Sequence, residues 1–261
     1  MVIVVTSDQH LGYENSDKTA FNNFLDGLQT DLNITDLVLL GDVVDMWRRD
    51  ASGVFLENMD TIDRLSSLMK RMKVHYVAGN HDFHVLKLQH HTYPFTFVKS
   101  LSLTEGSYRY RFLHGYEFDH LQNEYFMEAL CRVMSDEGGN FESGVWATLT
   151  RDWTDLKYWF ATLFTKSGIR KTAEALQQRP EMRLKDTLNE VEREACTSVQ
   201  EGEILVFGHT HRPFINKKEN VVNSGSWVKD ATLHNTYVRI EGGKPRLFVF
   251  GREEILERVE C

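Results

Sequence analysis

The sequence predicts an α/β fold, and two observations lead to this prediction. Over residues 1–115, short apolar runs rich in β-branched residues alternate with segments whose apolar residues recur every three or four positions. Buried strands produce the first pattern and amphipathic helices produce the second. Strand-like runs then return after a different middle segment and continue to residue 250. Such alternation is typical of a sheet whose faces are covered by helices.

The elements of the first part follow in order along the chain. Strands are expected at residues 2–6, 37–40, 74–78 and 108–113, where the runs are apolar and β-branched or aromatic. A helix is expected at residues 19–32, because Phe21, Phe24 and Leu28 share one helical face. A second helix is expected at residues 55–72, with Ile62, Leu65 and the residues that follow them at helical spacing on one side.

The middle of the chain predicts a helical insertion. From residue 118 to residue 200 the apolar residues follow helical spacing, and strand signals are few. Strands are expected again at residues 203–207, 221–222, 237–240 and 246–250, the last two joined by a turn at residues 241–245. Polar clusters of one type lie on both sides of the insertion. We therefore expect a single domain over residues 1–261, with a helical cap at residues 118–200.

Composition excludes some functions and favours others. With 261 residues, of which 41% are hydrophobic, the chain can bury a substantial core. A net charge of −8 argues against stable nucleic-acid binding, which depends on lysine and arginine. No apolar run is long enough for a membrane span, although peripheral membrane contact stays open. Three cysteines without ligand-like spacing, and a start without leader character, predict free thiols and a cytoplasmic location.

Five polar clusters each follow a predicted strand, and they predict a metal centre. They contain Asp8 and His10, Asp42 and Asp45, Asn80 and His81, His114, and finally His209 and His211. Loops beyond the ends of neighbouring buried strands can bring such side chains into one crevice. A mixed set of imidazole nitrogens and carboxylate or amide oxygens suits manganese, iron or zinc better than calcium.

The order of these clusters resembles the calcineurin-like metallophosphoesterase superfamily, whose pattern is DxH, GDxxD, GNH(D/E), H and GHxH. All five blocks occur here between residues 8 and 211. The resemblance implies a four-layer α/β/β/α sandwich of two mixed sheets flanked by helices. It also implies a hydrolase of phosphoester or pyrophosphate bonds with two divalent metal ions, Mn²⁺ being favoured and iron or zinc being open.

The resemblance assigns roles position by position. One metal would be held by Asp8, His10, Asp42 and His211, and the other by Asp42, Asn80, His114 and His209. A hydroxide bridging the two metals would attack phosphorus in line. His81 would assist the leaving oxygen and would be oriented by Asp45. Asp82 is expected to accept hydrogen bonds behind the loop.

The substrate is less well indicated than the reaction. The segments SDQHLG, LLGDVVDMW and YVAGNHDF are most similar to the branch of UDP-2,3-diacylglucosamine hydrolases, which cleave the pyrophosphate of a lipid-linked sugar nucleotide. This similarity implies substrate contacts at Trp47 in the second loop and at Lys157, Lys166 and Arg170 in the cap. The branch, however, has arginine at the position of His81 and an acidic residue at that of Tyr116. A small phosphorylated substrate is expected, and nucleotide-linked and lipid-linked compounds both stay open.

Other classes share part of the pattern. A Ser/Thr protein phosphatase would carry Arg-Gly where this chain has Met46 and Trp47, which disfavours that class. A DNA-processing nuclease of the same superfamily shares the opening DxHLGYE, but the acidic balance counts against it. A catalytically inert metal-binding scaffold is the alternative of a different kind. The presence of both His81 and Asp45 disfavours it.

Overall fold

The computed structural model describes residues 1–88, 95–119, 180–216, 218–252, 254–255 and 258–259. The strands are β1 Val2–Thr6, β2 Asp36–Leu40, β3 Lys73–Val77, β4 Thr96–Val98, β5 Ser100–Glu105, β6 Tyr108–Leu113, β7 Glu203–Phe207, β8 Phe214–Asn216, β9 Val221–Asn223, β10 Thr236–Glu241, β11 Lys244–Val249, β12 Glu254–Ile255 and β13 Arg258–Val259. The helices are α1 Lys18–Thr30, α2 Ala51–Glu57, α3 Met59–Leu68 and α4 Pro180–Thr197, with short 3₁₀ helices at Phe83–Leu88 and Tyr116–Phe118.

These strands form two mixed sheets. In the first, the order is β12-β11-β10-β1-β2-β3-β4, with β1 to β4 parallel and β10 antiparallel to β1. In the second, the order is β13-β8-β9-β7-β6-β5, with β6, β7 and β9 parallel. The antiparallel pairs β5–β6 and β8–β9 flank this parallel centre. Strands from both sides of residues 118–200 therefore pair within the same sheets.

Three apolar clusters separate four layers. Successive side chains of a strand point to opposite faces, so Val4 packs on one face of the first sheet and Val5 on the other. Val5 belongs to the cluster between the two sheets, together with residues of β6 and β7. Val4 belongs to the cluster beneath α1, α2 and α3. On the outer face of the second sheet, Val191 and Ala195 of α4 pack against β7. The predicted α/β/β/α sandwich of two mixed sheets is confirmed.

Several expected elements are confirmed, and one is wrong. The strands at residues 2–6, 108–113 and 203–207 have the expected bounds. The single helix expected at residues 55–72 is instead two helices, α2 and α3, which meet at Asn58. The Asn58 side chain donates to the carbonyl of Val54 at 2.6 Å, and its backbone N–H donates to Phe55 at 3.2 Å. These bonds satisfy carbonyls at the end of α2, and the carbonyl of Asn58 accepts the first hydrogen bonds of α3, from the N–H groups of Thr61 and Ile62.

Two further expectations concern the cap and the cysteines. Most of the predicted cap, residues 120–179, lies outside the described residues, and α4 is its described part. The cap and the single-domain boundary stay predictions. Cys196, near the end of α4, is disulfide-bonded, so the expectation of free thiols is wrong for this residue. Within the described residues, no helix combines the length and the apolar character that crossing a bilayer requires.

Candidate metal centre

The five polar clusters meet at one edge of the sandwich. Three of them follow β1, β2 and β3, which are parallel neighbours in the first sheet. The other two follow β6 and β7, which are parallel neighbours in the second sheet. Because parallel strands end on the same side, their carboxyl ends place the loops around a common crevice. The predicted ligands lie at this edge, namely Asp8, His10, Asp42, Asn80, His114, His209 and His211.

Backbone hydrogen bonds bind these loops to each other. The N–H groups of Asp8 and His10 donate to the carbonyls of Gly41 and Asp42, at 3.0 and 2.8 Å. In the second sheet, the N–H of Gly208 donates to the carbonyl of His114 at 2.8 Å. These backbone hydrogen bonds alone fix the positions of the bonded loops relative to each other.

Five of the predicted ligands have a left-handed backbone. The φ angles are 56° at Asp8, 47° at His10, 52° at Asp42, 67° at His209 and 56° at His211. Residues with a Cβ rarely adopt this region, and each such residue costs on the order of 1–3 kcal/mol. Such strain persists where the surrounding structure enforces it, and it clusters at functional sites. The backbone thus singles out this edge independently of side-chain chemistry.

Asp8 fixes one carboxylate oxygen and directs the other into the crevice. Its Oδ2 accepts a hydrogen bond from the backbone N–H of His209 at 3.0 Å. Its Oδ1 lies 3.2 Å from His211 Nε2 and 3.8 Å from His10 Nε2. The hydrogen bond to Oδ2 thus links the loop of the first sheet to the loop of the second.

Asp42 repeats this arrangement on the neighbouring loop. Its Oδ1 accepts a hydrogen bond from the backbone N–H of His81 at 2.8 Å. Its Oδ2 lies 3.2 Å from His114 Nε2 and 3.7 Å from His10 Nε2. Asp42 therefore faces imidazoles from both sheets, which is the position that a bridging carboxylate requires.

Hydrogen bonds on one nitrogen fix how two of the imidazoles are presented. His114 Nδ1 lies 2.9 Å from the carbonyl oxygen of Leu40, which can only accept, so Nδ1 carries the proton. His10 Nδ1 lies 3.0 Å from Asp45 Oδ2 and donates to it in the same way. In the neutral imidazole, each ring then directs the lone pair of Nε2 into the crevice. Carboxylate or carbonyl partners of this type are typical of histidines that bind metals.

The residues fit a pair of cations, as their unsatisfied atoms indicate. Asp8 Oδ1, Asn80 Oδ1 and His114 Nε2 are buried and form no well-directed hydrogen bond among the described residues, although Asp8 Oδ1 and His114 Nε2 each lie 3.2 Å from another side chain of the crevice. Buried polar atoms are seldom left in this state, because doing so costs about 1–3 kcal/mol each. Each of the three atoms is a ligand of the type that divalent cations use. A metal at the crevice would satisfy all of them.

The candidate ligand atoms separate into groups whose members lie within 4.8 Å of one another. These groups are Asp8, His10 and His211; Asp42, His114 and His209; and His10, Asp45 and His81. The first two correspond to the two ligand sets implied by the family resemblance, apart from the shared Asp42 and the amide of Asn80. The third group is a hydrogen-bond network, because Asp45 is already occupied by other donors.

The buried carboxylates make the crevice strongly favourable for positive charge. Burial alone would raise the pKa of Asp8, but the charges of His114 and His211 outweigh it and hold that pKa well below its usual range. Burial alone would lower the pKa of His114, but the charges of Asp42 and Asp8 outweigh it and raise that pKa to about 10. The pKa of His10 is likewise raised to about 10, against its burial, chiefly by its hydrogen bond to Asp45. The buried carboxylates therefore favour positive charge on the groups that face them.

Asp45 orients His81 and His10 together. Asp45 Oδ1 lies 3.0 Å from His81 Nδ1, and its Oδ2 lies 3.0 Å from His10 Nδ1. The same carboxylate accepts hydrogen bonds from the backbone N–H groups of Trp47 and Arg48 and from the Arg48 guanidinium. Asp45 is completely buried, so these donors replace the water that its charge has lost.

Trp47 and Arg48 extend this network towards the surface. The indole of Trp47 is only 1% exposed and stacks on His81, with ring centroids 4.0 Å apart. The substrate contact expected for Trp47 stays a prediction, and the observed packing fixes the plane of the His81 ring. The guanidinium of Arg48 lies 4.4 Å from the centre of the Tyr13 ring. Sequence reasoning missed Arg48, whose signal was a cation three residues after Asp45.

Asp82 holds two of the loops together, as expected for a structural acceptor. Its carboxylate accepts hydrogen bonds from the backbone N–H of Gly79 at 2.7 Å and of Val43 at 2.8 Å. The hydroxyl of Tyr76 donates to it at 2.6 Å. Sequence reasoning also missed Gly79, where an added Cβ would lie 2.1 Å from Asp42 Oδ1. The two loops can approach this closely only because Gly79 has no side chain.

The three substrate-binding residues expected in the cap, Lys157, Lys166 and Arg170, lie outside the described residues. Among the described residues, Arg48 provides a positive charge beside the crevice through its contact with Asp45. Its side chain is 29% exposed.

Comparisons with known proteins find one matching family model and several similar solved structures. The family model of calcineurin-like phosphoesterase matches residues 1–213. Similar solved structures include a dimetal phosphatase from Danio rerio, with 13% identity, a TM-score of 0.50 and 98% of each chain covered. The phosphoesterase Yfce from E. coli has 16% identity and a TM-score of 0.49, with 98% of this chain and 97% of that chain covered. Vps29 from Entamoeba histolytica, as a single mutant, has 14% identity and a TM-score of 0.44, with 98% of each chain covered.

No curated protein matches the sequence significantly. The dimetal phosphatase structure supports the fold alone, because its identity is low. The family model covers most of the chain, and its span includes all five polar clusters. The chain therefore belongs to the calcineurin-like phosphoesterase family and is a metal-dependent phosphoester hydrolase.

Proposed function

We propose that this chain hydrolyses phosphoester or pyrophosphate bonds of small substrates at a dinuclear centre, with Mn²⁺ as the favoured metal. The observation that carries the proposal is the convergence of unsatisfied ligand atoms from both sheets on one crevice. Asp8, His10, Asp42 and His211 would hold one cation. Asp42, Asn80, His114 and His209 would hold the other. The mixed nitrogen and oxygen ligands favour manganese, iron or zinc over calcium.

The residues of the chain have separate tasks in this reaction. When bound, two divalent cations neutralise phosphoryl oxygens and lower the pKa of water, so that hydroxide is available for in-line attack near neutral pH. Asp42 sets the spacing of the two sites, because its carboxylate faces imidazoles of both. His81 would donate a hydrogen bond or a proton to the leaving oxygen. Asp45 accepts a hydrogen bond from Nδ1 of the His81 ring, so Nε2 carries a proton for the leaving oxygen when the ring is an imidazolium.

A UDP-linked lipid-sugar pyrophosphatase is the second candidate within this reaction class. It is favoured by the segments SDQHLG, LLGDVVDMW and YVAGNHDF, which are most similar to that branch. His81 counts against it, because the branch carries arginine there. Contact of the cap with a lipid surface, a cytoplasmic location and the absence of stable nucleic-acid binding stay predictions.

The test is a substrate panel with protein reconstituted in Mn²⁺. The panel contains bis-p-nitrophenyl phosphate, p-nitrophenyl phosphate, cyclic nucleotides, duplex DNA and a UDP-linked diacyl sugar. Wild type is expected to bind two metal ions and to hydrolyse a small member of the panel. Asp42→Ala is expected to retain less metal and to lose about a thousandfold in rate, which corresponds to about 4 kcal/mol of transition-state stabilisation.

The outcomes separate the candidates. Metal-loaded wild type that hydrolyses no member of the panel would favour an inert scaffold and would overturn the proposal. Full activity of Asp42→Ala with both metals bound would also overturn it. If simple diesters are hydrolysed and the UDP-linked sugar is the poorest substrate, the lipid-sugar candidate fails. Salt-sensitive cleavage of duplex DNA as the fastest reaction would support a nuclease instead.

A further inference from the structure

The loop at residues 208–212 uses alternate residues for two different purposes. His209 and His211 contribute to the two groups of candidate metal ligands. Thr210, which lies between them, and Arg212, which follows, bond to helix α4. The loop is therefore held from its two sides, by the crevice and by the helix.

Glu192 is the residue of α4 that makes this contact. Its Oε1 accepts hydrogen bonds from Thr210 Oγ1 at 3.0 Å and from Arg212 Nε at 2.9 Å. Its Oε2 accepts a hydrogen bond from a terminal nitrogen of Arg212 at 2.5 Å. The Glu192–Arg212 pair is thus bidentate, which fixes direction as well as distance. The Glu192 side chain is 17% exposed and that of Arg212 is 38% exposed, so the carboxylate is the better shielded partner of the pair.

The two sides of this contact are themselves anchored. In α4, the neighbouring residues Val191 and Ala195 are 1% and 0% exposed and pack on the second sheet. On the loop side, Thr210 is buried and also accepts a hydrogen bond from Asn223 Nδ2 at 3.0 Å. Asn223 donates as well to the carbonyl of Gly208 at 2.8 Å. Because α4 is packed on the second sheet and Thr210 is buried, the contact with Glu192 fixes the position of the loop relative to the helix.

The left-handed backbone of the loop explains why such support is needed. His209 and His211 both have positive φ, at 67° and 56°. Without support, a non-glycine residue would relax from this region towards a more populated conformation. Relaxation on either side of Thr210 would move the imidazole nitrogens away from Asp8 and Asp42.

We propose that Glu192 is a positioning residue for the metal centre, which holds His209 and His211 in place through Thr210 and Arg212. This inference rests on the proposed dinuclear function and goes further, because it assigns a role to a residue of the predicted cap. Through this role, the helix that ends the cap determines how tightly the loop of the second sheet binds its metals. Glu192 is not a catalytic residue, since it contacts neither ligand side chain.

The test compares metal binding in Glu192→Gln with that in Glu190→Gln, whose glutamate is exposed on the same helix. Calorimetric titration with Mn²⁺ and the visible absorption of bound Co²⁺ report on the site without any hydrolysis. Glu192→Gln is expected to weaken metal affinity about tenfold, as is typical of residues that orient metal ligands. The rate measured against Mn²⁺ concentration should shift its midpoint by the same factor and recover at saturation. Glu190→Gln should behave as wild type.

Variants of Thr210 provide the second readout. Thr210→Ser keeps the hydroxyl that donates to Glu192 and should keep wild-type affinity, whereas Thr210→Val should lose affinity. Combining Thr210→Val with Glu192→Ala should cost less than the sum of the two single losses, because each of these variants removes the hydrogen bond between Thr210 and Glu192.

Three results would overturn the inference. One is unchanged Mn²⁺ affinity in folded Glu192→Gln, even with a lower unfolding midpoint, since that pattern belongs to a purely structural role. A second is equal losses in the Glu190 and Glu192 variants. A third is Thr210→Ser behaving as Thr210→Val. Wild type that binds no metal would instead refute the proposed function, so the two failures are distinguishable.

Discussion

The two ends of the parallel strands β1 to β3 each bury carboxylates beside histidines, yet only one end has the features of a metal site. Near the amino ends, His75 Nε2 lies 2.9 Å from Asp36 Oδ1, and both residues are buried. This is one pair, and neither residue has a left-handed backbone. At the carboxyl ends, several carboxylates and imidazoles converge on strained loops and leave ligand atoms unsatisfied.

The difference shows that a buried Asp–His pair does not by itself indicate a metal-binding or catalytic site. Asp36 and His75 contact each other through one oxygen and one nitrogen, as a structural pair does. Asp8 Oδ1 faces the imidazole of His211, and Asp42 Oδ2 faces that of His114, each at 3.2 Å. The other ring nitrogen of His114 already donates to the carbonyl of Leu40. At the amino ends His75 Nδ1 is also buried without a partner among the described residues, so an unsatisfied atom alone does not distinguish the two ends. The convergence of several such atoms on loops with a left-handed backbone does.

The largest effect is expected from removing His81, with His75 as its matched control. Each histidine contacts a buried aspartate through one nitrogen, at 3.0 Å to Asp45 and 2.9 Å to Asp36. His81→Asn should slow a diester with an alkyl leaving group about a thousandfold, because general acids contribute roughly 10²–10⁴-fold. A p-nitrophenyl leaving group needs less assistance and should slow much less. His75→Asn should leave both rates unchanged.

Steady-state rates on the two substrates check this prediction. Equal slowing of both would show that His81 does not act on the leaving oxygen. A comparable loss of hydrolytic rate in His75→Asn would show that the two ends of the strands do not differ in their importance for the reaction.

A smaller effect is expected from Gly79→Ala, with Gly27→Ala as its control. An added Cβ at Gly79 would lie 2.1 Å from Asp42 Oδ1, whereas nothing lies within 4 Å of one at Gly27 in α1. Displacing Asp42 should lower the rate about a hundredfold, the usual cost of about 1 Å of misplacement at a reacting centre. Metal content and hydrolytic rate, measured for both variants, test this prediction. Wild-type rates in Gly79→Ala would show that the crevice tolerates a shift of Asp42.

The smallest effect is expected at the amino ends, from Asp36→Asn. Burial would raise the pKa of Asp36, but hydrogen bonds from His75 and Thr35 outweigh it and lower that pKa. A lowered folded pKa means that the stabilisation is present above the unfolded value of about 3.9 and is lost as pH falls through the folded value. At pH 7 the variant should lose about 1 kcal/mol of unfolding free energy.

Urea unfolding at several pH values measures this difference. The gap between wild type and Asp36→Asn should narrow below about pH 4, while the hydrolytic rate at pH 7 stays at the wild-type level. A gap that widens on acidification would contradict the sign of the pKa shift. A lost rate would mean that the two ends are coupled.

Sequence reasoning predicts the buried strands well, because they are apolar on both faces. β1 and β7 have the expected bounds, since they are buried along their whole length and end at polar loops. β6 also has the expected bounds, although two arginines interrupt its sequence YRYRFL. Strand β5 was not anticipated, because its sequence SLSLTE alternates between exposed and partly buried positions at a sheet edge. The helix expected at residues 55–72 is interrupted at Asn58 by local hydrogen bonds, which helical periodicity does not register.

For the candidate site, too, the sequence predicts one part and misses another. Motif spacing brings the predicted ligands to one edge because each motif follows a parallel strand. It does not indicate that Asp45 contacts His10 as well as His81, nor that Glu192 reaches Thr210 from a distant helix. These contacts depend on how the layers pack, and local sequence carries no record of that packing.

The pairing of β1 with β10 has a consequence for how the chain folds. Val2 lies opposite Glu241, so the strand that carries Asp8 and His10 at its end finds one neighbour only when residues near the other end of the chain are available. At roughly 5–20 residues per second, the ribosome needs tens of seconds between the two strands. Contacts so distant in sequence also slow refolding. During synthesis β1 therefore exposes an open edge, and the metal crevice is completed late.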